Sequence, residues 1–347
     1  MAEVFAANKG AVLASGWPEL PETLDAAGAH WESGRSAPGL QICCARTVRW
    51  CVAQMKLYWE SKFVLLVVLP FVGASVVLQT RWWAVNAPPV AIWTVGVSLL
   101  LALVVFQLRA ATPGAAFAGA AITASLMFST ALVPYMPWRT ALMPVIAVFA
   151  LTYLATRLGR RRKELLGTAE RRQGRTASQV AANLGVAALV SDGLAQSMFT
   201  DSGWFTRATF APMPLFAVGL AALAEAAADT VSSEAGQVLG GRPRMITTLQ
   251  QVEAGTDGAI SLAGTLAGTA TAGIVAAAGT LALRGDWGVF WISFAGGVFG
   301  LFFDSLLGAT LERRGWLNND AVNFLSTASA AGFALGLMAA MAYWGVR

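Results

Sequence analysis

Residues 63–80 read FVLLVVLPFVGASVVLQT and residues 89–108 read PVAIWTVGVSLLLALVVFQL, two runs without a charged side chain. At about 1.5 Å per helical residue, a run of about 20 residues crosses a hydrocarbon core about 30 Å thick. Similar stretches recur at about 113–133, 140–156, 178–199, 207–238, 258–283, 287–311 and 320–343. Alternating barrel strands are absent, and in lipid each backbone polar group must be satisfied within its own segment, so the spans are helical. The expected fold is all-α: a polytopic helical membrane protein of about nine transmembrane helices. Composition points the same way, with 56% of 347 residues hydrophobic and 12% charged. An average soluble domain is about 25% charged, so an ordinary soluble enzyme is excluded.

The scarce residue types narrow the chemistry. One histidine, His30, and three cysteines, Cys43, Cys44 and Cys51, all precede the first span. A histidine-based catalytic triad, a multi-ligand zinc or haem site and a disulfide framework are therefore not expected in the membrane part. The net charge of +5 reflects basic loops, which report topology and do not signal a nucleic-acid partner.

Those loops give a consistent orientation. Arg157, Arg160, Arg161, Arg162, Lys163, Arg171, Arg172 and Arg175 crowd one connection, which the positive-inside rule places in the cytoplasm. Alternation over nine spans then puts Arg46, Arg49, Lys56 and Lys62, the loop with Arg242 and Arg244, and the loop with Arg313 and Arg314 on that same face. The opposite face receives the short loops around Arg81, Arg139, Arg207 and Arg284. The expected location is a bacterial inner (cytoplasmic) membrane, with the N-terminus cytoplasmic and the C-terminus on the other side. The basic loop 157–175 is expected to contact anionic lipids, and Arg160 to Lys163 read first as a topology determinant.

Residues 1–45 carry Gly, Pro, Ser and scattered acids without periodicity and read as a poorly ordered extension, with no signal peptide expected. Over 46–62, Val48, Cys51, Val52, Met55 and Trp59 fall at helical spacing opposite Arg49, Lys56 and Glu60. This reads either as an interfacial amphipathic helix or as a polar extension of the first span. Residues 63–343 form the transmembrane domain. Its last five spans are rich in Ala, Gly, Ser and Thr, including Gly264-xxx-Gly268 and Gly296-xxx-Gly300, a pattern that lets helix backbones approach closely.

Ionisable residues inside apolar spans cost about 2.5 to 3.5 kcal/mol each on insertion scales, so each is a functional candidate. The sixth span places Glu225, Asp229, Ser232 or Ser233, and Gly236 along one helical face, with Glu234 close by. Two carboxylates one turn apart suit a cation. The eighth span adds Asp304 and Ser305, and the next loop brings Asn318, Asn319 and Asp320, then Asn323. Asp320 has an alternative reading as part of a helix cap. Asp192 reads as a solvated or pairing group. The loop between the sixth and seventh spans contains Arg242, Arg244, Thr247, Thr248 and then Gly255, Thr256, Asp257 and Gly258. Gly, Thr and Arg in such loops suit phosphate, because backbone N–H groups approach closely and guanidinium binds phosphoryl oxygens bidentately. Arg175 opens a second basic element that precedes Asn183 in the fifth span. Acids for Mg²⁺, arginines for phosphate and a small-residue bundle for an apolar chain are the parts that phosphoryl or nucleotidyl transfer to a lipid needs.

Five blocks resemble a known family. They are Asp229-Thr230 through Ser233-Glu234 to Gly236; Arg242-Pro243-Arg244 to Thr247-Thr248; Gly255-Thr256-Asp257-Gly258 to Ser261 and Gly264; Asp304-Ser305 to Gly308; and Asn318-Asn319-Asp320 to Asn323. Gly174-Arg175 with Gln179 and Asn183 agrees as well. Together, over roughly residues 90–343, they look like the transmembrane protein 19 family, also catalogued as domain of unknown function 92. The resemblance implies a polyprenyl monophosphate kinase, because a plant chloroplast member is the phytyl phosphate kinase of vitamin E synthesis. By analogy with its partner phytol kinase, the donor would be CTP or another nucleoside triphosphate. Glu225 lies outside the family motif.

These readings combine into one expectation: a Mg²⁺-dependent kinase acting on an isoprenoid monophosphate in the membrane with a cytoplasmic nucleotide. Asp229, Glu234 and Asp304 are the expected catalytic residues, and Asp229, Asp304 and Asp320 the expected metal ligands. Arg175, Asn183, Ser233, Arg242, Arg244, Thr247, Thr248, Gly255, Thr256, Asp257, Gly258, Asn318, Asn319 and Asn323 are the expected substrate and phosphate contacts. The alternative is a transporter or flippase of a phosphorylated lipid or small anion, which needs the same residue types nearer the bilayer midplane.

Overall fold

A computed structural model describes residues 58–168, 174–193, 196 and 212–343. The expected extension 1–45, the segment 46–57 and Arg171, Arg172 and Arg207 lie outside the described residues. The elements in order are α1 (Trp59–Asn86), α2 (Pro88–Gln107), α3 (Pro113–Ser129), α4 (Leu142–Arg157), α5 (Arg160–Leu166), α6 (Ala177–Ser191), α7 (Pro212–Leu239), β1 (Arg244–Met245), β2 (Ala259–Ile260), α8 (Leu262–Ala282), α9 (Trp287–Leu307) and α10 (Asn319–Tyr343). The chain is thus a helical integral membrane protein, with a helix at each apolar stretch of the sequence.

Local chemistry explains where these helices begin. Thr112, Ser261, Asp286 and Asn318 each accept the N–H three residues on, satisfying donors that a helix N-terminus leaves orphaned. Thr176 and Gln179 do this reciprocally at the start of α6. Trp59 to Lys62 belong to α1, so those four residues extend the first span.

The structure does not confirm the exact count of nine spans. Among the described residues six helices are long and apolar enough to cross a membrane, or up to seven if the bent pair α4 and α5, which turns by 66°, is one span. Helices α3 and α6, of 17 and 15 residues, are apolar but shorter than those six. The reason is local. The apolar run 113–133 outlasts its helix, which stops at Thr130, and the run 178–199 passes Asp192, where α6 ends.

Helix α7 is the axis of the bundle, packed against α4, α6, α8, α9 and α10. Its Ala221, Ala222, Ala224, Ala227 and Ala228 are fully buried. Glycines on the facing helices make this approach possible. A Cβ at Gly268 would stand 2.8 Å from Ser232 Cβ, and one at Gly297 would stand 2.8 Å from Ala224 Cβ. In lipid, where burial gains little, such close dispersion contact is what holds helices together. Elsewhere Ser75 and Gln79 of α1 donate to the buried carboxylate of Asp192, which is a pairing group and not a solvated one.

Several helix ends meet at one end of the bundle. Ser61 of α1 donates to Asp320 of α10 at 2.6 Å, Arg157 of α4 donates to the Leu108 carbonyl at 3.2 Å, and Arg162 of α5 donates to the Val238 carbonyl at 2.9 Å. The backbone of Arg175 is stitched to the α2–α3 connection, donating to Ala110 O and accepting from Thr112 N, each at 3.0 Å. The charged candidates of the sequence therefore converge through tertiary contacts.

Candidate active site

The helical repeat of α7 sets Glu225 one turn before Asp229, and α9 presents Asp304 to the same space. Asp229 lies beside the Asp304 carboxyl group and close to the Arg175 guanidinium, while Ser326 of α10 stands next to Glu225 and Asp304. Arg175 also reaches Thr230 Oγ1 at 3.3 Å. Both carboxylate oxygens of Glu225 and Oδ2 of Asp304 are buried without a hydrogen-bond partner. An unpaired buried polar atom costs about 1–3 kcal/mol, more when charged, so this pocket of acids is poised for a proton or a cation.

A surface loop closes over the cluster. Strands β1 and β2 pair antiparallel, Arg244 opposite Ile260 and Met245 opposite Ala259, and fold residues 240–261 back onto the bundle. At the end of α9 the helix widens into a π turn, Gly308–Glu312, which inserts an extra residue and turns Ala309 toward the loop. Gly258, at φ +75°, meets that turn with its Cα side against Ala309, where no Cβ fits. This contact brings Asp257 next to Glu312 and Arg313, and Glu312 next to Asp229. Partial burial pushes the Asp257 carboxyl above its ordinary pKa, with the Arg313 guanidinium opposing the shift.

The expected residues divide accordingly. Asp229, Asp304, Arg175, Asp257 and Gly258 come together in and above the acid cluster. Asn183 donates to Gln179 O and lines a neighbouring cavity. Gly255 packs against Thr168, and Thr256 donates to Glu253 O. Glu234 is engaged elsewhere, in a 2.5 Å ion pair with the buried Lys163. Asp320 accepts from Ser61, and Asn318 caps α10 while donating to the same serine. Arg244 donates to Leu249 O in its own loop, and Arg242, Thr247 and Thr248 are exposed. Ser233 accepts from Gln237, Asn319 is exposed, and Asn323 offers its carbonyl to Ser326 and Thr327. Among the described residues no group of three or more His, Cys, Asp or Glu is arranged to hold a metal ion, so Asp229, Asp304 and Asp320 do not form a common ligand set.

Sequence reading did not select Glu312, Arg313 or Ser326. A signal for Glu312 exists in its spacing from Asp304, about two turns along the same face. Arg313 and Ser326 have none, since one resembles any loop arginine and the other any small residue of a packed span.

The blocks that build this site lie within residues 96–331, which match the family model described as integral membrane protein DUF92. The chain belongs to this family. Within DUF92, an uncharacterized membrane protein of Synechocystis is 36% identical over 58% of this chain and 75% of its own length. An uncharacterized membrane protein of Methanocaldococcus jannaschii is 46% identical over 31% of this chain and 45% of its own length. The chloroplastic protein VTE6 of Arabidopsis thaliana is 29% identical over 59% of this chain and 62% of its own length. The aligned region thus spans less than half of the archaeal relative. No solved structure matches the chain.

Proposed function

We propose that this protein is a membrane-embedded isoprenoid monophosphate kinase, transferring a phosphoryl group from a nucleoside triphosphate such as CTP to a prenyl phosphate. The observation that carries the reading is the juxtaposition of Asp229 and Asp304 with the Arg175 guanidinium beside them, under a glycine-containing loop. Similarity to the chloroplast branch, for which the sequence resemblance implies phytyl phosphate kinase activity, supports it.

The chemistry asks little of the side chains beyond charge control. An oxygen of the prenyl phosphate attacks the terminal phosphorus of the donor, the bond to the bridging oxygen breaks, and the nucleoside diphosphate leaves with that electron pair. The acceptor oxygen is already anionic, so no general base is needed and the lack of histidine is immaterial. Arg175 neutralises phosphoryl oxygens, and its backbone is held by Ala110 O and Thr112 N. Asp229 and the unpartnered Oδ2 of Asp304 fit Mg²⁺, which is usually bound through one or two carboxylates with substrate phosphates and water completing its shell. Bound there, Mg²⁺ would supply charge neutralisation to the transferring group. The cluster end of the bundle would face the cytoplasm and its nucleotide, with anionic lipids around the basic loop 157–175.

The test is direct. Detergent-purified protein is incubated with Mg²⁺, labelled CTP or ATP, and phytyl, geranylgeranyl or farnesyl monophosphate. Labelled prenyl diphosphate is the expected product. Lipid phosphate binding by folded protein with no product from any pair would overturn the kinase and leave transport as the reading.

A further inference from the structure

Beside Arg175 the bundle contains a cavity of about 470 Å³ enclosed by α2, α3, α4 and α6, with Ala226 of α7 at its back. Its two ends differ in character. At one end stand Arg109, Arg157, Arg160 and Arg175 with Glu164, drawn from the ends of α2 and α4, from α5 and from the start of α6. Away from that rim the walls are Leu101, Val148, Phe149, Val180 and Leu184. Three of the lining hydroxyls are occupied within the bundle: Thr123 donates to Gly119 O at 2.7 Å, Thr152 to Phe149 O at 3.3 Å and Ser98 to Met127 Sδ at 3.7 Å, while Tyr153 and Thr156 stand towards the arginine end of α4. Val145 and Arg157, both on the lining, are separated by 157 − 145 positions of α4, or about 18 Å along the helix, more than half of a hydrocarbon core about 30 Å thick.

A mainly apolar cavity with a guanidinium rim suits a hydrocarbon chain ending in a phosphate. Arginine suits that head because its planar fork binds phosphoryl oxygens bidentately. Arg157 is already oriented, stacked 4.4 Å over the Tyr153 ring while donating to Leu108 O. Arg175 belongs to both regions, lining the cavity and contacting Thr230 beside Asp229.

We infer that this cavity is the binding site for a single-chain lipid monophosphate, with the chain between α2, α3, α4 and α6 and the phosphate at Arg109, Arg157 and Arg160. The site stands on the cavity's own geometry, and its role as the acceptor site rests on the kinase reading. The arrangement delivers the phosphate to Arg175 at the edge of the acid cluster, and it selects for one flexible chain over a neutral alcohol.

The test measures binding of radiolabelled farnesyl monophosphate to the full chain in nanodiscs, with farnesol and inorganic phosphate as competitors. Loss of a charge-assisted hydrogen bond should weaken binding about tenfold or more in Arg157→Gln and in Arg109→Gln. Gly119→Leu fills the chamber and should weaken binding as much, whereas Gly332→Ala on α10, where a Cβ would meet nothing within 4 Å, should bind normally, and thermal unfolding of each variant reports on folding. Farnesol and inorganic phosphate should each compete poorly. The site is overturned if the arginine variants and Gly119→Leu all bind as the wild type does, or if farnesol or inorganic phosphate displaces the probe as well as unlabelled farnesyl monophosphate. Binding that these variants weaken, in a protein that forms no diphosphate, keeps the lipid site and removes the kinase. Diphosphate formation undisturbed by every cavity variant removes the site and keeps the kinase.

Discussion

Lys163 Nζ stands 2.5 Å from Glu234 Oε2, with 1% of the lysine side chain accessible, and it donates as well to the carbonyls of Ala155 and Thr156. One ammonium group thus ties α5 to the last turn of α4 and to α7. The basic connection that the sequence presents as a topology signal is anchored to the bundle by a buried lysine.

Removing one partner of a buried pair strands the other charge, at about 3–5 kcal/mol, whereas replacing both can be close to neutral. Lys163→Met should therefore lower the thermal midpoint sharply, and Lys163→Met with Glu234→Gln should recover much of the loss. Thermal unfolding in detergent checks this. A double variant that regains stability and keeps phosphoryl transfer would show Glu234 to be structural and not catalytic.

Asp229→Asn and Asp304→Asn should each reduce transfer by about a hundredfold or more, the scale on which a preorganised charged or donor group acts in a transition state. Neither should lower the thermal midpoint, because the amide is isosteric and one of two adjacent carboxylates has been neutralised. Assay and unfolding on the same preparations decide it. Activity near the wild-type level in either variant would remove that residue from the mechanism.

Chelation gives an independent reading of the same pair. A chelator should abolish transfer and added Mg²⁺ should restore it. In wild-type protein with nucleotide, Mg²⁺ should raise the thermal midpoint, since a ligand that binds only the native state stabilises it. That rise should vanish in Asp304→Asn. A rise of equal size in the variant would place the cation elsewhere.

Gly174 has φ +76°, and a Cβ there would press on the Ala110 backbone. Gly174→Ala should shift the segment that carries Arg175, costing about 1–3 kcal/mol of local strain. The expected kinetic signature is a raised KM for the lipid phosphate together with a lowered kcat, because Arg175 serves both the cavity and the acid cluster. Steady-state kinetics against farnesyl monophosphate tests this, and unchanged constants would contradict it.

Gly258→Ala should lift the loop off the π turn, since Ala309 occupies the space that a Cβ needs. Hydrogen exchange of the Met245 and Ile246 amides, which bond Gln250 O and Gly258 O, should accelerate while the buried turns of α7 stay protected. Equal protection in the variant would mean the loop is held by other contacts.

Much of this protein was legible in its sequence. The apolar runs marked every long helix among the described residues though not the short α5, and the small-residue spacings on α8 and α9 marked faces that do pack on α7. Asp229 and Asp304 stood out because a carboxylate within an apolar run needs a reason. Glu234 and Asp320 stood out equally, and they turn out to bond Lys163 and Ser61, partners 71 and 259 positions away in the chain. Spacing cannot reveal such pairs, because a helical repeat specifies a residue's own face and not what meets it.

The sequence by itself determined the membrane setting, the helical class and the candidate acids, since hydrophobic length and the cost of burying charge are properties of local composition. Only the tertiary structure decided which acids meet, and that arginines at the ends of α2, α4 and α6 stand round one cavity. Those outcomes depend on contacts between elements far apart in the chain. Each arginine, read alone, looks like the loop charge that orients a membrane protein.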